Sequence, residues 1–593
     1  MPISPFASPL AGVITGVRMA AKSLEPSLMP RSAVDQGLIM AGSFATGYVV
    51  GSVGARTLGL LPVLGGSAIT RFAGLMVTGA RYSHLLEAGS DPQSPRALET
   101  SAWAEAGSDT LTSIALAKTT TAADHPVLGA FGGAAVVAAT ISDVQDAIGM
   151  RDDDVDATYL ATAVGTAVGA VGAVAGLGAV VRFSGRYARG RTSGTGFTGA
   201  AAYSAGAAAA AGVLVLGVRA IVSRVLSDLA ASNNAVEIAY EDSPTASTVS
   251  GGPDSLVPYD TLGLQGRRLV SEVTTGGIIL EVMGEPARAE AVRVFIGVES
   301  AESPEDRIEL AIAELHRTGG FDRSTILAAS PAGTGYVNYI TVEAAELMAR
   351  GDIATVAIQY GSLPSMLSMN RVDDASRLYG ALIARLRSEI DALGGGIRLL
   401  AYGESLGAQT SQNGIDGISG PEGLPVDAAL WVGTPAGTDF FRQLTNDAGT
   451  PVFDRPAQLA EYVEEGNPLP EATLLNHDND PVAKFTPSLF HEMPDWLASS
   501  QRGRGVSLHQ RWLPGVAFWQ GLIDTKNAAT VVPGEFNSTG HDYRADLASF
   551  VRTGFSFADV TDEQMAAVEE TLRASEIKRA ENIAEGMIEV QID

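Results

Sequence analysis

Residues 258–593 read as a mostly parallel α/β sheet flanked by helices, and residues 1–225 as an α-helical transmembrane domain of about five spans. Three observations predict this. From about residue 258, strand-like apolar runs alternate with helix-like ones, and that βαβα order builds a parallel sheet with helices on its faces. Five apolar stretches crowd the first 225 residues, near the length of about 20 residues that a bilayer requires. Between the two parts, residues 226–257 form a linker poor in large apolar side chains, including Ser-Pro-Thr-Ala-Ser-Thr and Ser-Gly-Gly-Pro-Asp. At 593 residues the chain is also too long for one hydrophobic core.

The apolar stretches are Gln36–Ala55, Leu58–Ala80, Pro126–Ser142, Thr158–Val181 and Phe197–Gly217. They are built from Ala, Gly and Val, so each is only marginally hydrophobic, and a bundle of buried soluble helices is the competing reading. Glycine at this density destabilises a soluble helix by about 1 kcal/mol per residue relative to Ala, whereas in lipid it lets helices approach closely. Gly47-x-x-x-Gly51, Gly165-x-x-x-Gly169 and Gly172-x-x-x-Gly176 have the small-residue spacing suited to such packing, within one chain or in a homo-oligomer. Ser8–Ala21 is short and carries Arg18, so it reads as an amphipathic interfacial segment. The loop with Arg182, Arg186, Arg189 and Arg191 is expected in the cytoplasm, and the acidic stretch Asp143–Asp156 outside. The last span then runs outward, which makes the C-terminal part extracytoplasmic on a multi-pass plasma-membrane protein.

Charge separates the two parts. Residues 1–225 hold 15 Lys/Arg and 14 Asp/Glu, net +1, and the remainder holds 25 and 53, net −28, for a total of −27. An acidic half of this size repels phosphates, so nucleic acid is not an expected partner. With no cysteine, thiol nucleophiles, disulfides and thiolate zinc sites are excluded.

In the C-terminal part the expected strands are Ala291–Gly297, Thr325–Ala329, Ile353–Tyr360, Arg398–Tyr402, Ala428–Val432 and Ala472–Asn476. The expected helices are Pro304–Thr318, Val342–Arg350 and Ala375–Leu393. Catalytic groups then belong in loops at the carboxyl ends of strands. Gly403-Glu404-Ser405-Leu406-Gly407 is a G-x-S-x-G pentapeptide between an apolar strand and a helix-competent stretch, the context of a nucleophile elbow. The loop Asn476–Val482 follows a strand and offers Asp480 as an acid, with Asp478 as the alternative. His541, in Ser538–Tyr543, precedes a helix and offers the base. Ser405, Asp480 and His541 stand in the chain order of an α/β-hydrolase. His541 takes the Ser405 proton, and Asp480 fixes the imidazole tautomer. The amide of Leu406 and one from Ala332 or Gly333, in the loop Ser330–Gly335, are the expected oxyanion donors. His477, Asp478 and Asp480 lack a further ligand at metal spacing, so neither metal nor cofactor is expected. His491 and His509 read as surface or hydrogen-bonding residues, His316 as a helix-terminal cation, and Glu404 as a capping or salt-bridging carboxylate.

These motifs, with Glu25-Pro26-Ser27-Leu28-Met29-Pro30-Arg31, Pro331–Tyr336, Gln359-Tyr360, Leu363-Pro364-Ser365, Pro494-Asp495-Trp496-Leu497 and Arg511-Trp512, resemble a known family. It is the membrane-anchored α/β-hydrolases of actinobacteria and some other bacteria, with a multi-span N-terminal domain and a C-terminal catalytic domain. The resemblance covers most of the chain from about residue 25 and implies the triad Ser405, Asp480 and His541. It implies no particular substrate. The region before Glu25 is shorter and more polar than that family's usual first span.

The 60 residues between Asp480 and His541 are rich in large apolar side chains. Trp496 and Trp512 there, with Met366 and Leu367 after Tyr360, are expected either to pack as core or to line an acyl-chain groove. The leading expectation is a membrane-anchored serine hydrolase that cleaves an ester, lipidic in character, through an acyl-enzyme, with membrane lipids as partners. An acyltransferase with the same triad differs only in acceptor geometry. A structural or channel-like assembly with an inactive hydrolase fold is a third class, against which an intact Ser, Asp and His set argues.

Overall fold

The structure is a computed structural model that describes residues 7–59, 95–120, 126–151, 153, 155–172, 240–361, 371–419, 423–498, 502–528 and 534–590. The chain divides into two units, Met1–Arg219 with Phe485–Ala529, and Ala220–Lys484 with Thr530–Asp593.

The second unit is built on seven strands: β1 (Val292–Ile296), β2 (Thr325–Ser330), β3 (Ile353–Ile358), β4 (Arg398–Glu404), β5 (Ala428–Val432), β6 (Val452–Phe453) and β7 (Ala472–Leu475). They form one sheet in the order β1-β3-β2-β4-β5-β7-β6, parallel at every pairing. β1, β2, β3, β5 and β7 are buried at every residue, because helices cover both faces, and a strand so covered is built mainly of apolar residues. Arg293 in β1 is the exception that explains itself. Its guanidinium is fully buried, with Nε and Nη2 on the Glu346 carboxylate at 2.6 and 2.7 Å and Nη1 on the Leu269 carbonyl at 2.7 Å. Such pairing offsets the desolvation that would otherwise exclude a charge from a strand.

The strands expected from sequence appear within two residues of their expected ends. β6 was not legible, since two residues carry no period. The helix expected at 304–318 runs Pro304–Arg317, started by the Ser303 side chain, which accepts the Asp306 N–H, and by a proline in its first turn. Residues 240–257 run against the sheet edge. Val249 bridges to Arg293, the Ser250 N–H donates to the Arg293 carbonyl at 3.0 Å, and Glu314 accepts the Ser255 hydroxyl and the Leu256 N–H.

In the first unit, helix Ala7–Lys22 lies along helix Ala33–Gly59. The approach is close. A methyl group on Gly47 would sit 2.7 Å from the Thr15 carbonyl oxygen, and one on Gly51 would sit 2.6 Å from that of Ala11. The Gly47/Gly51 spacing therefore joins two helices of one chain. Helix Ala7–Lys22 does not leave its charges in solvent. Arg18 is buried, paired with Asp143 at 2.7 Å and Asp109 at 2.8 Å, and Lys22 reaches Glu105 and Asp109 at 2.5 Å each. Acids from two neighbouring helices neutralise the cations, so the helix can bury them.

Phe485–Ala529 belongs to this unit too. Arg511 holds the Glu25 carboxylate with two bonds of 2.7 Å and Glu105 with a third. Asp524 accepts the Leu28 N–H at 3.0 Å. The Glu25–Arg31 motif is thus a buried anchor for a segment nearly 500 residues away. Among the described residues one helix, Ala33–Arg56, is long and apolar enough to cross a membrane, and a signal sequence or a buried core helix passes the same test. Leu58–Ala80, the end of Thr158–Val181, Phe197–Gly217 and the arginine loop between the last two lie outside the described residues.

Candidate active site

β4 lies in the middle of the sheet, between β2 and β5, and its carboxyl end turns directly into helix Leu406–Asp416. Ser405 is the turn. Its φ of 56° and ψ of −124° lie in a region that a residue with a Cβ enters only under strain. Its N–H donates to the Val432 carbonyl at 2.9 Å. The flanking glycines are required by contact. A methyl on Gly403 would meet the Gly407 carbonyl oxygen at 2.5 Å, and one on Gly407 would meet that of Ser330 at 2.3 Å. Strand, turn and helix pass too closely for any larger residue at either place.

Asp480 and His541 come from loops beyond β5. Asp480 lies five residues after the end of β7 and is fully buried. His541 sits in a turn closed by the Thr539–Asp542 bridge. Asp480 Oδ2 and His541 Nδ1 are 2.7 Å apart. Asn479 ties the two loops together, its side chain accepting the Gly540 N–H at 3.0 Å and donating to Thr539 Oγ1 at 2.7 Å. The carboxylate on the imidazole is that of Asp480. Asp478 instead turns its N–H to Asp454 at 2.8 Å. Among the described residues no hydrogen bond joins the Ser405 hydroxyl to His541. Such bonds are often long in the absence of substrate.

Gly433 links the three residues and was missed by the sequence reading. It directly follows Val432, whose carbonyl holds the Ser405 N–H, and a methyl group on it would sit 2.7 Å from His541 Cε1. The imidazole therefore lies over the backbone that braces the serine. The only sequence signal was a glycine just past the end of a strand.

His477 is not a metal ligand in waiting. Its Nδ1 is 2.9 Å from the Gly540 carbonyl and its Nε2 is 2.9 Å from Asp546, so both nitrogens are engaged in holding the His541 turn. Glu404 accepts from Asn338 at 2.9 Å and from the Tyr402 hydroxyl at 2.8 Å. Burial pushes its carboxyl above the usual range, against the lowering pull of His541. The Ala332 N–H is engaged in a loop bond to the Tyr336 carbonyl at 2.8 Å, whereas the Gly333 N–H has no partner among the described residues. Leu406 opens its helix, where an N–H has no partner within the helix. Trp512 is buried in the first unit, where its indole N–H donates to the Leu489 carbonyl at 2.8 Å, and Trp496 packs on the same small core. Met366 and Leu367 lie outside the described residues.

Residues 292–568 match an alpha/beta-hydrolase family, and residues 24–273 match the N-terminus described for an alpha/beta-hydrolase family. The chain belongs to the alpha/beta-hydrolase family. The first of these stretches contains Ser405, Asp480 and His541 in a parallel sheet of the kind such hydrolases use, and membership supports hydrolase activity. No curated protein and no solved structure matches the chain.

In this hydrolase, burial alone would lower the His541 pKa, but Asp480 and then Glu404 and Asp542 outweigh it and raise the imidazole above its ordinary value of about 6.5. A general base accepts a proton only when neutral. Any turnover that uses His541 as its general base is therefore expected to rise with pH through a limb above 6.5. The pH dependence of kcat/KM measures it, and a limb below that value contradicts the electrostatic picture.

Proposed function

We propose that this chain is a membrane-anchored serine hydrolase that cleaves a carboxylic ester, lipidic in character, through an acyl-enzyme. The observation that carries this reading is the Asp480–His541 pair, 2.7 Å apart, over the Gly433 backbone that adjoins the brace of a strained Ser405. In the proposed mechanism His541 takes the Ser405 proton as the hydroxyl attacks the ester carbonyl. Asp480 holds the Nδ1–H and stabilises the imidazolium. The N–H groups of Leu406 and Gly333 receive the oxyanion, and His541 then returns the proton to the leaving alcohol. Water repeats the sequence on the acyl-enzyme.

The membrane part of the proposal rests on surface chemistry. Val49 and Val53 on helix Ala33–Gly59, Phe131 and Val137 on helix Pro126–Gly149, and Val168 are each more than half exposed. Apolar side chains so exposed on neighbouring segments suit lipid better than water. A cavity of about 100 Å³ in the first unit is lined both by Met19, Val50, Trp103, Phe490 and Leu513 and by the paired charges of Arg18, Lys22, Glu105 and Asp109, and its apolar part fits a segment of an alkyl chain. Several spans placing the catalytic part outside the cytoplasm complete the proposal. The test compares a long-chain lipid ester in vesicles with a short water-soluble ester. The full chain is expected to turn over the vesicle-borne ester at least about tenfold faster in kcat/KM, a margin of 1.4 kcal/mol. Equal rates remove the lipid from the proposal. Transfer of the acyl group to an added sugar acceptor in preference to water turns it into an acyltransferase.

A further inference from the structure

A fully buried carboxylate persists only when donors meet its lone pairs, because an uncompensated charge in the interior is costly. Asp480 Oδ1 takes the Val482 N–H at 2.8 Å. Its Oδ2 takes two donors, His541 Nδ1 at 2.7 Å and the Tyr543 hydroxyl at 2.6 Å. Imidazole and phenol thus share one oxygen.

Tyr543 has little freedom to do otherwise. The ring is 1% exposed, stacked on His477 with centroids 3.9 Å apart and edge-on to His541 at 5.6 Å. A methyl on Gly433 would come within 2.8 Å of its Cε2. The phenol oxygen already accepts the His477 N–H at 3.1 Å, so its own proton is directed to Asp480. His477 is itself fixed at both ring nitrogens.

We propose that Tyr543 is a positioning residue for proton transfer: its hydroxyl sets the angle of the Asp480 carboxylate to His541 and, by drawing on the shared Oδ2, sets how strongly that carboxylate holds the imidazolium. This rests on the serine-hydrolase reading. A hydrogen bond to a charged group counts for more than a neutral one, and two donors on one oxygen compete for the same electron density. Removing the hydroxyl leaves Asp480 a stronger partner for the imidazolium but a less well-aimed one.

The test is the pH profile of kcat/KM for the full chain with Tyr543→Phe, which keeps the ring and its packing. The acid limb is expected to move up by roughly half a unit, with the plateau lowered about fivefold to tenfold. A ring-fluorinated tyrosine at 543, whose hydroxyl is a stronger donor, is expected to move the limb down. A limb that coincides with wild type in both variants overturns the proposal. In a double-mutant cycle the Tyr543→Phe loss is expected to shrink to within about twofold once Asp480→Asn is present. An undiminished loss there assigns the effect to packing and overturns it as well. Fluorophosphonate labelling of wild-type Ser405 separates the two failures: no label sinks the hydrolase reading itself, whereas label with unmoved limbs sinks only the role of Tyr543.

Discussion

Ser405→Ala is expected to abolish both ester turnover and covalent labelling by a fluorophosphonate, with kcat lower by roughly 10⁴-fold or more. The size follows from the role. Without the hydroxyl there is no acyl-enzyme, and His541, Asp480 and the oxyanion donors act together only through the nucleophile, so removing it removes most of what the others contribute. Stability is expected to change little, within about 0.5 kcal/mol, because alanine retains the Cβ that the elbow already accommodates at φ 56°. Intact-mass analysis of labelled wild type and variant, with a melting curve for each, is sufficient. Label on the alanine variant, or unchanged turnover, removes Ser405 from the mechanism.

Asp480→Asn is expected to lower kcat by about 10⁴-fold while leaving the fold in place. An asparagine amide can donate to Nδ1, which stabilises the tautomer that carries its proton on Nε2. A His541 in that state cannot accept the Ser405 proton. Shape is nearly conserved, and the remaining oxygen still accepts the Val482 N–H, whereas the nitrogen that replaces Oδ2 no longer accepts from the Tyr543 hydroxyl. The comparison variant is Asp478→Asn. Asp478 adjoins Asp454 through its N–H and does not hold the imidazole, so its loss is expected to stay within a few-fold. Single-turnover kinetics on both variants make the measurement, and a larger loss at 478 than at 480 reverses the assignment of the acid.

Much of the C-terminal half was legible because a buried parallel strand is mainly apolar, and the runs Thr325–Ser330, Ile353–Ile358 and Ala428–Val432 hold no polar residue but Thr325, Ser330 and Thr355. Ser405 was legible for a different reason. Two close backbone contacts, at Gly403 and Gly407, leave a local sequence trace five residues long. Sequence favoured Asp480 and left Asp478 as an alternative, since the choice depends on which carboxylate faces a turn 61 residues away. Gly433 and Tyr543 left no usable mark. A glycine past a strand and a tyrosine before a helix are ordinary until their neighbours are known.

The first 225 residues show the converse. Their apolar stretches were plain, yet the partners of Arg18 were not, because the acids that pair with it, Asp109 and Asp143, are about 90 and 125 residues distant. Likewise Phe485–Ala529 could be seen as apolar but not as belonging with the N-terminal helices, a grouping made by Arg511 with Glu25 and Asp524 with Leu28. Sequence by itself determined the strands and helices of the sheet and the tight turn at Ser405, because periodicity and steric need are local. Tertiary structure decided which carboxylate meets the His541 imidazole and which segment joins which unit, because charge pairing and shared hydrogen bonds depend on distance in space and leave no period along the chain.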